Sequence, residues 1–370
     1  KAVFRTQLLS YPSSIHQRQI NKLQAALSEH LSWHGARIKS LALFLVALFR
    51  VRTVNQTELA GAFASRTQTA SNQKRLKRFF SKFEVDEEES ARVLVGLAGI
   101  PEPWTLSLDR TNWSFGSVHF NILVLGVLHE GIAFPLLWTM LDKQGNSNSD
   151  ERMDLLDRFE RLFGQVRVNC LTADREFIGQ DWFSYLLLSR LPFRIRIRYN
   201  QLISSQTGKS RWKGDDLFRS LAPGQVKILS KKRWVLKRKL HVVASGLDDG
   251  ELLILVTDSR PQTALRDYAR RWGIETFFGA LKTRGFNLEA THFRDSYKLS
   301  TLFALLAIAF TWAMRAGLWL HERKPLQLKS HGRRKKSLFR LGLDFLRRLC
   351  LDLTLRRPDF RHALQLLSLY

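Results

Sequence analysis

Two strand-like runs in the middle of the chain each end in an aspartate, and the elements around them leave few folds open. Trp104-Thr-Leu-Ser-Leu-Asp109 alternates apolar and polar residues, and Val166-Arg-Val-Asn-Cys-Leu-Thr-Ala-Asp174 is a second run with a terminal carboxylate. Between them, the aliphatic and β-branched runs 118–128 and 131–141 read as strands and 149–163 as a helix. After them, 178–188 reads as a helix and Phe193-Arg-Ile-Arg-Ile-Arg198 as an alternating strand. Three strands, helix, strand, helix, strand is the pattern of a mixed α/β sheet, a fold that collects sites at strand ends. A lone aspartate at a strand end is more often a cap or turn residue. The pair gains meaning only with a third group.

The third group lies in Tyr268-Ala-Arg-Arg-Trp-Gly-Ile-Glu-Thr-Phe-Phe-Gly-Ala-Leu-Lys282. Ser259-Arg-Pro261 is a fitting helix entry, and Leu265, Trp272, Phe278 and Leu281 have helical apolar spacing. At about 100° per residue, one continuous helix puts Tyr268, Arg271, Glu275 and Lys282 within about 60° of one another. A glutamate flanked on its own stripe by an arginine and a lysine could ligate a metal while the cations hold phosphates.

The spacing Tyr268-x2-Arg271-x3-Glu275-x6-Lys282 resembles the Y-R-E-K signature of bacterial insertion-sequence transposases of the DDE type, the hairpin-type cut-and-paste group. Asp109-Arg-Thr-Asn-Trp113 and Thr172-Ala-Asp-Arg-Glu-Phe177 are similar to the aspartate motifs of that family, and Lys143-Gln-Gly-Asn-Ser-Asn148 to a further one. The resemblance spans roughly residues 100–315. It implies an α/β, ribonuclease-H-like catalytic core with a β-strand insertion, and a helical N-terminal DNA-binding domain. Asp109, Asp174 and Glu275 would be the catalytic, metal-binding carboxylates for two Mg²⁺ (or Mn²⁺) ions, which cleave DNA and transfer its strand. Arg271 and Lys282 would clamp phosphates, with Tyr268 on the backbone or a displaced base. Arg110, Asn112, Lys143, Asn146 and Arg175 would add DNA contacts. A flipped base needs an aromatic receiver. Trp234 and Trp212 in the insertion are the candidates, and Trp113, Trp182 and Trp272 could also line the channel. The partners implied are element ends and target DNA, gripped by a homodimer. A hydrolysis-only nuclease of the same fold and a non-catalytic basic DNA-binding protein are the rivals.

Charge agrees with a polyanion partner: 59 Lys and Arg stand against 33 Asp and Glu, a formal charge of +26. Two cysteines supply neither a disulfide framework nor a zinc cluster and suit a reducing cytoplasm. The resemblance makes that cytoplasm a bacterial one, with the protein at the nucleoid. The apolar run 299–314 is short for a membrane span and is flanked by Lys298 and Arg315, so a buried helix is expected. No secretory signal is visible.

Five segments follow. Residues 1–100 form the helical DNA-binding domain, in which Lys74, Arg75, Lys77 and Arg78 meet phosphates while Leu76, Phe79 and Phe80 pack inward. Thr53 to Thr57 is a turn and cap, and Glu84 to Glu89 a solvated helix start. Residues 101–198 are the first part of the core, 199–258 the β insertion, and 259–322 the second part with the glutamate helix. Residues 323–370 are a basic helical region, holding the cationic run His331 to Lys336 and an amphipathic stretch 338–355.

Overall fold

The computed structural model describes residues 14–65, 67–330, 332, 334–353 and 357–367. Among the described residues, five helices come first: α1 (Ser14–Ser28), α2 (Gly35–Val51), α3 (Gln56–Gly61), α4 (Thr69–Lys82) and α5 (Glu87–Ala98). The expected cap is Asn55, whose side chain accepts from Thr57 N and Glu58 N and so satisfies amides left over at the start of α3. The acidic run is more than a solvated start. Asp86 caps α5, and Glu89 accepts from Ser32 N at 2.7 Å and Trp33 Nε1 at 3.0 Å.

The sheet then opens with β1 (Trp104–Phe115), β2 (Val118–His129) and β3 (Ile132–Met140). After them come α6 (Ser149–Phe163), β4 (Val168–Ala173), α7 (Gln180–Leu188) and β5 (Phe193–Ile197). β1 pairs antiparallel with β2 and β2 with β3, while β4 runs parallel to β1 and β5 parallel to β4. The order β3-β2-β1-β4-β5 is consistent with the ribonuclease-H-like core that the resemblance implies.

Short elements follow: β6 (Leu202–Ser204), β7 (Arg211–Lys213), α8 (Gly214–Phe218), β8 (Val226–Ile228) and β9 (Arg233–Val235). Two longer strands, β10 (Arg238–Gly246) and β11 (Leu252–Thr257), complete the set. They do not form a separate module. β11 pairs with β5 and β10 with β11, so the segment extends the core sheet to eleven strands. An edge strand such as β5 carries unpaired backbone groups, and the apolar β11 satisfies them.

Next are α9 (Ala264–Ala269) and α10 (Trp272–Leu281), then α11 (Ser296–Arg323), α12 (Leu338–Leu351) and α13 (Arg357–Gln365). α11 is long and apolar enough to cross a membrane, but 94% of its most apolar stretch is buried among the other helices, as the sequence predicts. His331 and Arg333 of the cationic run, and Thr354 and Leu355 of the amphipathic stretch, lie outside the described residues.

Contacts divide the chain into a sheet unit, Ile100–Phe277, and a helical unit made of the described residues up to Gly99 and from Phe278 onward. The boundary falls within α10. Residues 278–322, grouped by sequence with the core, gather instead with the helices.

Candidate active site

The β1–β4 register places the first two carboxylates. Leu108 lies opposite Ala173 at the end of that parallel ladder, so Asp109 and Asp174 are the next residues on strands about 4.8 Å apart. Asp174 is the first residue past β4, as expected. Asp109 is not at a strand end: β1 runs on to Phe115, paired only with β2 beyond this point. The carboxylates meet where β4 stops rather than where β1 does.

The glutamate arrives differently from the single-helix expectation. α9 and α10 are separate, joined through a tight turn in which Arg271 N donates to Tyr268 O at 2.8 Å and Gly273 N to Arg270 O at 3.0 Å. Close packing accounts for the break. A Cβ on Gly273 would stand 2.9 Å from the Ile132 carbonyl carbon and 2.9 Å from the Leu128 side chain, so only glycine lets α10 rest on the β2–β3 hairpin. Arg270 fastens the turn, donating to Thr105 Oγ1 at 2.9 Å and to Leu128 O at 3.3 Å.

Tyr268, Arg271 and Glu275 still converge across that break. Arg271 donates to Asp109 Oδ2 at 3.0 Å and to Glu275 Oε1 at 2.5 Å, and its guanidinium lies 5.7 Å from the centre of the Tyr268 ring. Tyr268 Oη donates to Asp174 Oδ1 at 3.2 Å. Burial raises the tyrosine's pKa, which keeps the hydroxyl a donor. Lys282 departs from the predicted stripe. It falls just past α10, in the helical unit, with Nζ 2.9 Å from Glu289 Oε1.

Asp109 is held in a dry place. Burial pushes its carboxyl up to about 6, against the opposing pull of Arg271 and of the Arg110 amide that donates to it at 2.8 Å. Among the described residues, no three carboxylate, histidine or cysteine side chains stand close enough to form a metal cluster. The Arg271 guanidinium instead bridges Asp109 and Glu275. The donor set nonetheless fits a hard divalent ion: all its oxygens are carboxylate, and a cation already neutralises the buried Asp109. Metal binding at this site would require Arg271 to give up those contacts.

A shell of hydrogen bonds holds the two aspartate segments. Arg110 reaches both oxygens of Glu176, at 3.1 and 3.0 Å, and also Asn121 Oδ1 at 3.2 Å and Asn146 Oδ1 at 3.1 Å. Asn121 Nδ2 donates to the carbonyls of Lys143 and Gly145. Lys143 pairs with Glu151 at 2.8 Å, and Glu151 completes a capping box with Asn148 at the start of α6. Arg152, 3% exposed, donates to Ser147 Oγ, Ser147 O, Ile178 O and Glu176 O. Sequence reasoning missed Arg152 and Asn121. Only the arginine's place on the apolar face of α6, beside Leu155, Leu156 and Phe159, hints at its burial.

The remaining predicted DNA contacts are dispersed. Asn112, Asn146 and Arg175 are exposed, whereas Arg110 and Lys143 are held by the partners above. Trp234 is half-buried, its Nε1 donating to Gln206 O at 3.2 Å and Lys239 Nζ lying 5.0 Å from its ring centre. Trp182 is fully buried and has no face open to a base, while Trp272 is 67% exposed. Lys74, Arg75, Lys77 and Arg78 lie on α4, in the helical unit.

Residues 111–312, more than half of the chain, match the family described as Transposase DDE domain. That span includes Asp174, Arg271 and Glu275 and begins just after Asp109. Among solved structures, the cryo-EM structure of a piggyBac transposase synaptic complex with hairpin DNA is similar at 12% identity and a TM-score of 0.44. The alignment covers 97% of this chain and 84% of that one. No curated protein matches.

Proposed function

Because the chain belongs to the Transposase DDE domain family, we propose that it is the cut-and-paste transposase of a bacterial insertion sequence, with Asp109, Asp174 and Glu275 as its catalytic carboxylates. The family is one of DNA-cleaving, strand-transferring enzymes, and DNA is the partner that follows from it. The observation that supports the residue assignment is the joining of Asp109 and Glu275 by one guanidinium, beside an Asp174 that the strand register sets next to Asp109. Arg271 and Tyr268 thus link three acidic side chains that are far apart in sequence.

These three carboxylates would hold Mg²⁺ or Mn²⁺. A bound pair of such ions activates the attacking oxygen and stabilises the leaving one. The chain's own residues do the rest. Arg271, released from Asp109 and Glu275, turns its paired donors to a non-bridging phosphate oxygen. Tyr268 keeps Asp174 oriented through its hydroxyl. Arg110 and Arg152 would fix the backbone that carries Asp109 and Asp174. The N-terminal helices recognise the terminal inverted repeats, two protomers pair two ends, and the protein works at the nucleoid of a bacterial cytoplasm.

The test supplies the protein with its own element ends, a target duplex and Mg²⁺, and sizes the strands on a denaturing gel. Cleavage at the element end, followed by a longer strand joined through the freed 3′-hydroxyl, is expected. Cleaved strands that never join the target would leave a nuclease, and no Mg²⁺-dependent product would overturn the enzyme reading.

A further inference from the structure

We propose that a cleft of about 630 Å³ in the helical unit is a binding site for the sugar–phosphate backbone of duplex DNA, built from two distant stretches of the chain. The inference rests on the transposase reading and adds a grip that the carboxylate site does not contain. One wall is α4, which contributes Gln73, Lys77 and Arg78. Another is the start of α3, with Thr57. His292 and Lys298 close the cleft from the far side of the sequence, beyond the glutamate helix.

The cleft's charge points to its occupant. The lining residues Lys77 and Arg78 are exposed and lie three and four residues after the exposed Lys74, so each is on the same side of α4 as that lysine. Among the described residues none of the three has an acidic partner, and no aspartate or glutamate lines the cleft. Neighbouring like charges on a helix destabilise it unless an anion arrives. The wall is nevertheless firm. Leu76, Phe79 and Phe80 are buried behind these cations, and Phe80 stacks edge-on against Phe293 at 4.8 Å, tying α4 to the segment that carries His292 and Lys298. Lys298 rests on Asp295 at 3.3 Å, a partly exposed pair that a phosphate can replace. Side-chain amides and hydroxyls beside cations are the usual donors to backbone phosphates, and they position a duplex without reading its sequence.

The experiment measures binding of the full chain to two duplexes, one carrying the element end and one of unrelated sequence, across a series of salt concentrations. Each phosphate contact contributes about 0.9 to the slope of log affinity against log salt. Lys77→Ala with Arg78→Ala is expected to flatten that slope by about 2 on both duplexes, and Lys298→Ala by about 1. Lys77→Arg with Arg78→Lys is expected to keep the wild-type slope. Unchanged slopes in the alanine variants, with wild-type binding intact, would overturn the cleft assignment and leave the transposase reading standing. Equal flattening in the charge-preserving variant would also overturn it. A wild type that binds neither duplex would sink the reading beneath it.

Discussion

Glu275→Gln is expected to bind element-end DNA as the wild type does and to lose Mg²⁺-dependent strand cleavage by on the order of 10³-fold. Glutamine has the same shape and keeps an oxygen that can accept from Arg271, so the α10 turn that the pair supports should survive. It lacks the charge a hard cation needs. A metal ion's stabilisation of transition-state charge amounts to several kcal/mol, and each 1.36 kcal/mol is a factor of ten in rate. The loss should therefore appear in the cleavage rate with no change in thermal melting. Cleavage within a few-fold of wild type would remove Glu275 from the chemistry and leave it an ion-pair partner.

Asp267→Ala is expected to destabilise the sheet unit by roughly 3–5 kcal/mol, the cost of stripping one partner from a buried ion pair. Arg194 is fully buried, with Nε 3.3 Å from Asp267 Oδ2. Its Nη1 donates to the Phe193 carbonyl and, at 2.7 Å, to Thr257 Oγ1, its buried Nη2 has no hydrogen-bond partner among the described residues, and Thr263 Oγ1 donates to Asp267 at 2.7 Å. The cluster fastens α9 to β5 and β11 immediately before Tyr268. Removing the carboxylate leaves a buried guanidinium with only Asp258 near, at 3.9 Å. Urea unfolding would read the loss, and Asp267→Ala combined with Arg194→Met should recover much of it, because replacing both charges is often neutral. A single-variant change below about 1 kcal/mol would mean that water or Asp258 already supports the arginine.

The core strands and the helix 149–163 were legible because their apolar runs are long and bounded by turn residues. Asp109 was misplaced within its strand for a physical reason. β1 loses its β4 neighbour after Leu108, and the polar residues from Arg110 onward look like the end of a strand although β2 continues to pair with them. The break between α9 and α10 was hidden because its cause is tertiary: nothing local distinguishes Gly273 from a tolerated helical glycine until Ile132 and Leu128 are known to press on it. Lys282 fell off the predicted stripe for the same reason, since the wheel assumed one axis. Arg194 lies in the alternating run Phe193 to Arg198, where nothing local marks it as buried. Its burial depends on Asp267, 73 residues away. The strand content of 199–258 is legible only in part: the sequence does not anticipate α8 (Gly214–Phe218) or the turn at Leu236 and Lys237 that separates β9 from β10, and strand patterns do not say which sheet they join.

Mn²⁺ binding, followed by the loss of the free ion's electron paramagnetic resonance signal on titrating protein into a fixed amount of metal, tests most directly whether the three carboxylates act as one site. The account predicts saturable uptake by the wild-type chain and a marked fall in uptake for each of Asp109→Asn, Asp174→Asn and Glu275→Gln. Uptake by all three variants that matches the wild type would contradict it, because the ion would then be held somewhere else.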